Sequence, residues 1–259
     1  MQREIMGRAK EEMMRQDESQ QMLDWIEDNY GEDAGEEGSE TWKEAEQAYE
    51  DYCDESQREL EERYRQDELE WYIYSRSQIG IFDSQMQSVK DLLEIQVIGE
   101  TQFSLLVMLY GHTVASVESY LASSFIHKVT NSEDLIRKLV ETDPEFEDMK
   151  FTMKEIYEKQ ESLKLIVAKY LKDLIFHKLD KVKPMFKAVL DCEFGDISWL
   201  FRAVNNRHHC VHRAGVDKDG NKIDISIESI KELIEMSTLF VRDVEMQVSH
   251  VPDYSQIQF

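Results

Sequence analysis

At 259 residues the chain is long enough for one large domain or a domain with an extension. Only three prolines and ten glycines stand beside abundant Glu, Lys, Leu and Met, a composition that points to an all-helical protein. The net charge of -24 argues against general attraction of the whole surface to nucleic acid or anionic membranes.

That charge is unevenly spread. Residues 1–70 hold 25 acids against 8 bases, and the remaining 189 residues hold 29 against 22. Residues 200–222 reverse the sign locally, with five bases, two acids and three histidines. Cys53, Cys192 and Cys210 are widely spaced and form no CxxC pair, which fits reduced thiols in a cytoplasmic protein. The first residues lack the apolar segment of a secretory leader. The longest apolar run, near Leu105–Tyr110, is far too short to span a bilayer.

In chain order, residues 2–29 read as a helix, with Ile5, Met6, Ala9 and Met13 at helical spacing. Gly31 to Gly38 reads as a mobile acidic linker, placed near 31–40. Thr41-Trp42-Lys43-Glu44 fits a capping box opening a second helix. Along it Trp42, Ala45, Tyr49, Cys53, Leu60, Tyr64, Trp71 and Tyr74 form a narrow aromatic stripe. The stripe is expected to pack against the body or a partner copy; a base-stacking surface conflicts with its acidic flanks. Gln78 to Ser84 interrupts the pattern, so the boundaries are an acidic helical region over 1–84 and a helical domain over 85–259.

Within that domain a short helix is expected to about Val97, then an apolar core helix over Phe103–Lys128. A short helix from Asn131 ends at Asp143-Pro144, and a long one runs from Met153 to Asp180. Pro184 allows another short helix. Asp196 caps a helix over Ile197–His212 that ends at Gly215. Asp217 to Asn221 is a turn, lacking the downstream pattern of a calcium loop. Ser226 caps the last helix, to about Ser249.

The stretch from Asn205 to Gly215 carries the chemistry. Arg207 and His212 are separated by four residues. A fixed cation that holds phosphate oxygens, beside an imidazole that moves protons, is what phosphodiester cleavage needs. His208 and His212, four apart, share a helix face; so do His209 and Arg213, which suit flanking phosphates. Arg207 and His212 lie about 140° apart on an ideal helix. Either the helix loosens towards Gly215, or a second copy supplies the missing half. The plainer reading pairs Arg207 with one of many carboxylates and packs His212 into a core. Glu118, on an apolar helix, must be paired or protonated if buried, and either orients Arg207 or His208 or forms a structural ion pair. Cys210 beside His209 lacks the further ligands of a zinc site. His112, His127, His177 and His250 are isolated in sequence and receive no role.

Two segments resemble the HEPN superfamily of all-helical domains, and most nearly its RiboL-PSP-type members. One is Asn206-Arg207-His208-His209-Cys210-Val211-His212-Arg213-Ala214-Gly215, similar to the family's Arg-polar-x3-His motif. The other is Met108 to Leu121, similar to the early helix that carries a buried Glu. The resemblance covers roughly 85–250. It implies a HEPN-like helical bundle that works as a metal-independent endoribonuclease without cofactor, attacking phosphorus with the RNA 2′-hydroxyl. It further implies a homodimer, RNA as substrate, and a setting in bacterial defence or a toxin–antitoxin pair with a partner protein. Carried onto this chain, Arg207, His212 and His208 are the catalytic candidates. Asn206, His209 and Arg213 are the RNA-binding candidates, with Glu118 accessory. The alternative is a non-catalytic helical module that binds RNA or protein. A metal-dependent hydrolase is disfavoured, because no carboxylate–histidine cluster is visible in the sequence.

Overall fold

A computed structural model of the chain describes residues 19–75, 77–147, 153–174 and 176–250. The described residues are all-α: ten α-helices and one 3-10 turn follow one another and no strand forms. Residues 19–30 are helical (α1); the apolar positions Ile5, Met6, Ala9 and Met13 of the expected first helix lie outside the described residues. The chain divides into two compact units that meet at Asp67 and Glu68, within helix α2 (Glu40–Tyr74).

In the first unit, α1 is followed by a 3-10 turn (Gly31–Ala34) and then by α2. The segment read as a free acidic linker is partly built into a core: Ala34 is buried with Ile26 and Ala45, and Met22, Trp25 and Trp42 pack on them. Ser39, not Thr41, caps α2, its hydroxyl accepting from the Trp42 amide at 3.1 Å. Trp25 meets the rings of Tyr49 and Tyr52 at 5.5 and 5.4 Å. The expected stripe thus packs only at its start. Beyond the Trp25 contact, Leu60 and Tyr64 are exposed.

In the second unit, the segment Gln78–Ser84 does not interrupt a helix but begins one, α3 (Gln78–Leu93). Helix α2 ends at Tyr74 and α3 begins at Gln78, so the boundary expected at 84 falls inside α3. Phe82 of α3 is buried against Tyr120, ring centroids 6.1 Å apart. The central element is α4 (Glu100–Thr130), which packs against α3, α5 (Glu133–Thr142), α7 (Met153–Asp173), α9 (Ser198–Arg213) and α10 (Ile227–Ser249). Contact on so many sides explains why α4 is apolar around most of its circumference. The four-residue α6 (Pro144–Glu147) and α8 (Leu179–Leu190) pack on α5.

An aromatic chain ties these layers together. Phe125 meets Phe186 at 4.8 Å, Phe186 meets Phe194 at 4.8 Å, and Phe194 meets Phe240 edge-on at 5.0 Å. Such pairs add about 0.5–1.5 kcal/mol each beyond their burial. The end of α2 is anchored by polar contacts instead. The Ile73 carbonyl accepts from the Asn131 side chain at 2.8 Å and lies 2.8 Å from His127 Nδ1. Lys164 completes this buried group by donating to Asn131 Oδ1 at 2.9 Å.

The expected caps of α5 and α10 form. Ser132 accepts from the Leu135 amide at 3.4 Å, and Ser226 with Ser229 makes a reciprocal capping box. The long helix expected to run to Asp180 ends instead at Asp173, and Phe176–His177 form a turn before α8. No helix among the described residues is long and apolar enough to cross a membrane.

Candidate functional site

Helix α9 is held to α4 by one face and leaves the other open. Leu200, Ala203 and Cys210 are buried, whereas Phe201, Asn205, His208 and His212 are exposed. The 3.6-residue repeat puts the last four on one stripe. Asp196 accepts from the Ser198 amide at 2.9 Å just ahead of the first turn. At the far end Ala214 adopts the left-handed conformation and the Gly215 amide reaches back to the His209 carbonyl at 3.0 Å. This is a Schellman stop. Gly215 has φ +82° and lies directly beneath Val107 and Phe103 of α4, where a Cβ would sit 2.9 Å from Phe103 Cζ. A glycine is required there twice over, by conformation and by space.

Because α9 stays helical through Arg213, the loosening that would bring Arg207 and His212 onto one face does not occur. The two side chains take different directions. Arg207, half-buried, faces α4, its Nη2 3.6 Å from Glu118 Oε2. His212 stays on the open stripe against His208, ring centroids 4.6 Å apart. Neither Glu118 Oε1 nor Arg207 Nε finds a hydrogen-bond partner in the protein, although both atoms are buried. Burial holds the Glu118 carboxyl above the usual carboxylate range, and Arg207 opposes that rise. A gap of 3.6 Å is longer than a hydrogen bond, so the pair is an ion pair without a tight bond.

The remaining candidates divide. His209 Nδ1 lies 3.1 Å from Arg213 Nη1, so a deprotonated Nδ1 accepts from the guanidinium and the two are engaged with each other. Asn206 turns towards α4, donating to the Tyr110 hydroxyl at 3.4 Å. Cys210 is buried and its thiol is pushed up to about 11, which makes it a poor nucleophile. Among the described residues, no group of three or more His, Cys, Asp or Glu side chains converges on a point that a metal could occupy.

The structure adds one residue to this constellation. His177, on the turn between α7 and α8, places Nδ1 3.9 Å from the same Glu118 oxygen that faces Arg207. Partial burial first, then the charges of Arg207, Lys178, His208 and His212, hold its pKa below the ordinary imidazole value. His208 is likewise lowered, by desolvation first and then by His212, Arg213, His209 and Arg207. His177 had no role in the sequence because a helix continuing to Asp180 carries it past the site. The turn at 176–178 is what returns it.

No protein-family model, curated protein or solved structure matches this chain. The functional reading therefore stands on the site itself and on the resemblance noted in the two sequence segments.

Proposed function

We propose that this protein is a metal-independent endoribonuclease of HEPN type, acting as a homodimer. The observation that carries the reading is the pairing of Arg207 with Glu118 beside the open His208–His212 stripe. The arginine is oriented by a buried acid, while the imidazoles stand where a polyanion can reach them. His212 takes the proton of a ribose 2′-hydroxyl, and the 2′-oxygen attacks the adjacent phosphorus. Arg207 stabilises charge on the non-bridging oxygens, in the role a divalent ion has elsewhere. Arg207 and His212 diverge on one regular helix, so a second copy contributes the complementary half. His208, or the second His212, is the first candidate to protonate the leaving 5′-oxygen. The setting carried over from the resemblance is a defence effector or toxin working in the cytoplasm with a partner protein.

The test is cleavage of an RNA oligonucleotide in excess EDTA. The reading expects 2′,3′-cyclic phosphate and 5′-hydroxyl ends, and no cleavage when the scissile nucleotide is 2′-deoxy. Arg207→Ala and His212→Ala should each lose about 10²–10⁴-fold in rate with thermal melt and dimer intact. Cleavage of DNA that EDTA abolishes, or full activity of His212→Ala, overturns it. The contact with Glu118 also suits a second reading, in which Arg207 is a structural ion pair in a non-catalytic RNA- or protein-binding module. Binding of RNA by the wild-type chain without any product selects that reading.

A further inference from the structure

We propose that His177 is the second proton-transfer residue of this site, delivering a proton to the departing 5′-oxygen while His212 accepts the one from the 2′-hydroxyl. The inference rests on the ribonuclease reading above and replaces the acid assigned there.

The geometry points to His177 in three ways. Its Nδ1 and the Arg207 guanidinium face one carboxylate oxygen, at 3.9 and 3.6 Å. The imidazole therefore lies within the sum of those two distances of the guanidinium. A phosphodiester held by Arg207 therefore comes to the carboxyl group that His177 also faces. Second, Nδ1 is the nitrogen nearer Glu118, which leaves Nε2 on the opposite side of the ring from that carboxyl group. The His177 side chain is 40% exposed, so the ring is not sealed in the core. Third, His208 is poorly placed to be the acid. Its ring lies 4.6 Å from that of His212, and His212 becomes an imidazolium as it takes the 2′-proton. Two cations at that separation oppose each other, so His208 is best neutral at that moment. His177 sits on another element, the turn between α7 and α8, and shares the Glu118 oxygen with Arg207.

The charge balance agrees. The groups facing His177 are Glu118 from α4, Arg207, His208 and His212 from α9, and its neighbour Lys178. Their net effect with burial makes the imidazolium release its proton readily. The arriving phosphodiester brings a negative charge that favours the protonated ring before reaction. In the step itself, the 2′-hydroxyl proton passes to His212 and a bond forms from the 2′-oxygen to phosphorus. The bond from phosphorus to the 5′-oxygen breaks, and the His177 proton moves to that oxygen. Water exchange then restores both histidines.

The experiment uses full-length wild type, His177→Ala, His177→Asn and His212→Ala. The substrates are an RNA oligonucleotide and the same oligonucleotide with sulfur replacing the bridging 5′-oxygen at the scissile bond. Sulfur departs without a proton. The expected result is that both His177 variants lose about 10²–10⁴-fold on ordinary RNA and return close to the wild-type rate on the sulfur substrate. His212→Ala is slow on both. Two results overturn the proposal alone: a His177→Ala enzyme with the wild-type rate on ordinary RNA, or an equal loss on both substrates by both variants. The second of these marks a positioning role. If the wild-type chain cleaves neither substrate, the ribonuclease reading falls and this inference falls with it.

Discussion

Glu118 and Arg207 face one another across the α4–α9 contact at 3.6 Å, and each keeps one buried polar atom that no protein group satisfies. Native interiors rarely leave such atoms unpaired, and exceptions gather where a ligand or an ordered water belongs. The pair joins α9 to α4.

The first prediction concerns Glu118. Burial raises its folded-state pKa above the ordinary value of 4.5. A group raised in this way contributes stability that is fully present below the unfolded value and is lost as pH rises through the folded one. Wild type should therefore lose stability relative to Glu118→Gln between about pH 4.5 and its raised folded value. Urea titrations at a series of pH values across that range measure it. A Glu118→Gln curve parallel to wild type counts against the assignment.

His177 shifts the other way. Its folded pKa lies below the ordinary 6.5, so its contribution is present above 6.5 and is lost as pH falls through the folded value. His177→Asn should be less sensitive to mild acid than wild type. Thermal melts taken on the acid side of neutrality read this directly, with no need of an activity assay.

Gly215→Ala should destabilise by about 1–3 kcal/mol, since it combines a left-handed backbone with overpacking against Phe103 and Val107. The same change displaces the end of α9, which carries His212 and Arg213. Chemical denaturation gives the first effect, and RNA affinity the second. A fully stable Gly215→Ala protein contradicts the close approach.

Truncation tests where the second unit begins. A chain starting at Glu68 keeps α3 whole, whereas one starting at residue 85 removes Phe82, which is 1% exposed. Loss of a buried Phe costs about 3–5 kcal/mol. The longer piece should therefore melt cooperatively at a clearly higher temperature than the shorter one, as followed by circular dichroism. Equal melts would show that α3 contributes nothing to this core.

The acidic first region should oppose RNA binding. Residues 1–70 carry 25 acids against 8 bases. Removing residues 1–67 should raise RNA affinity at low salt, and the gain should fade at about 1 M salt, where the Debye length is about 3 Å. Fluorescence anisotropy at several salt concentrations follows this. Weaker binding after deletion, with the fold intact, reverses the assignment.

The sequence by itself determined the helical class, because scarce Pro and Gly and a 3.6-residue apolar repeat are local properties. It also placed most helix ends where a cap or breaker is written in the chain, at Ser132, Ser226 and Gly215. It misplaced the start of α3, where no proline or glycine marks residues 75–77, and the cap of α2, where Ser39 and Thr41 are both residue types that cap helices. His208 and His212 were legible as a pair because a step of four residues on one helix is itself spatial information. The tertiary structure alone decided what they face. Glu118 lies 89 positions before Arg207 and His177 lies 30 before it, and no periodicity links them. They meet because α4 occupies the centre of the bundle and the chain turns at 176–178 instead of continuing the helix. Such a meeting is fixed by the packing of whole helices, and packing depends on residues distant in the chain, which a local pattern does not encode.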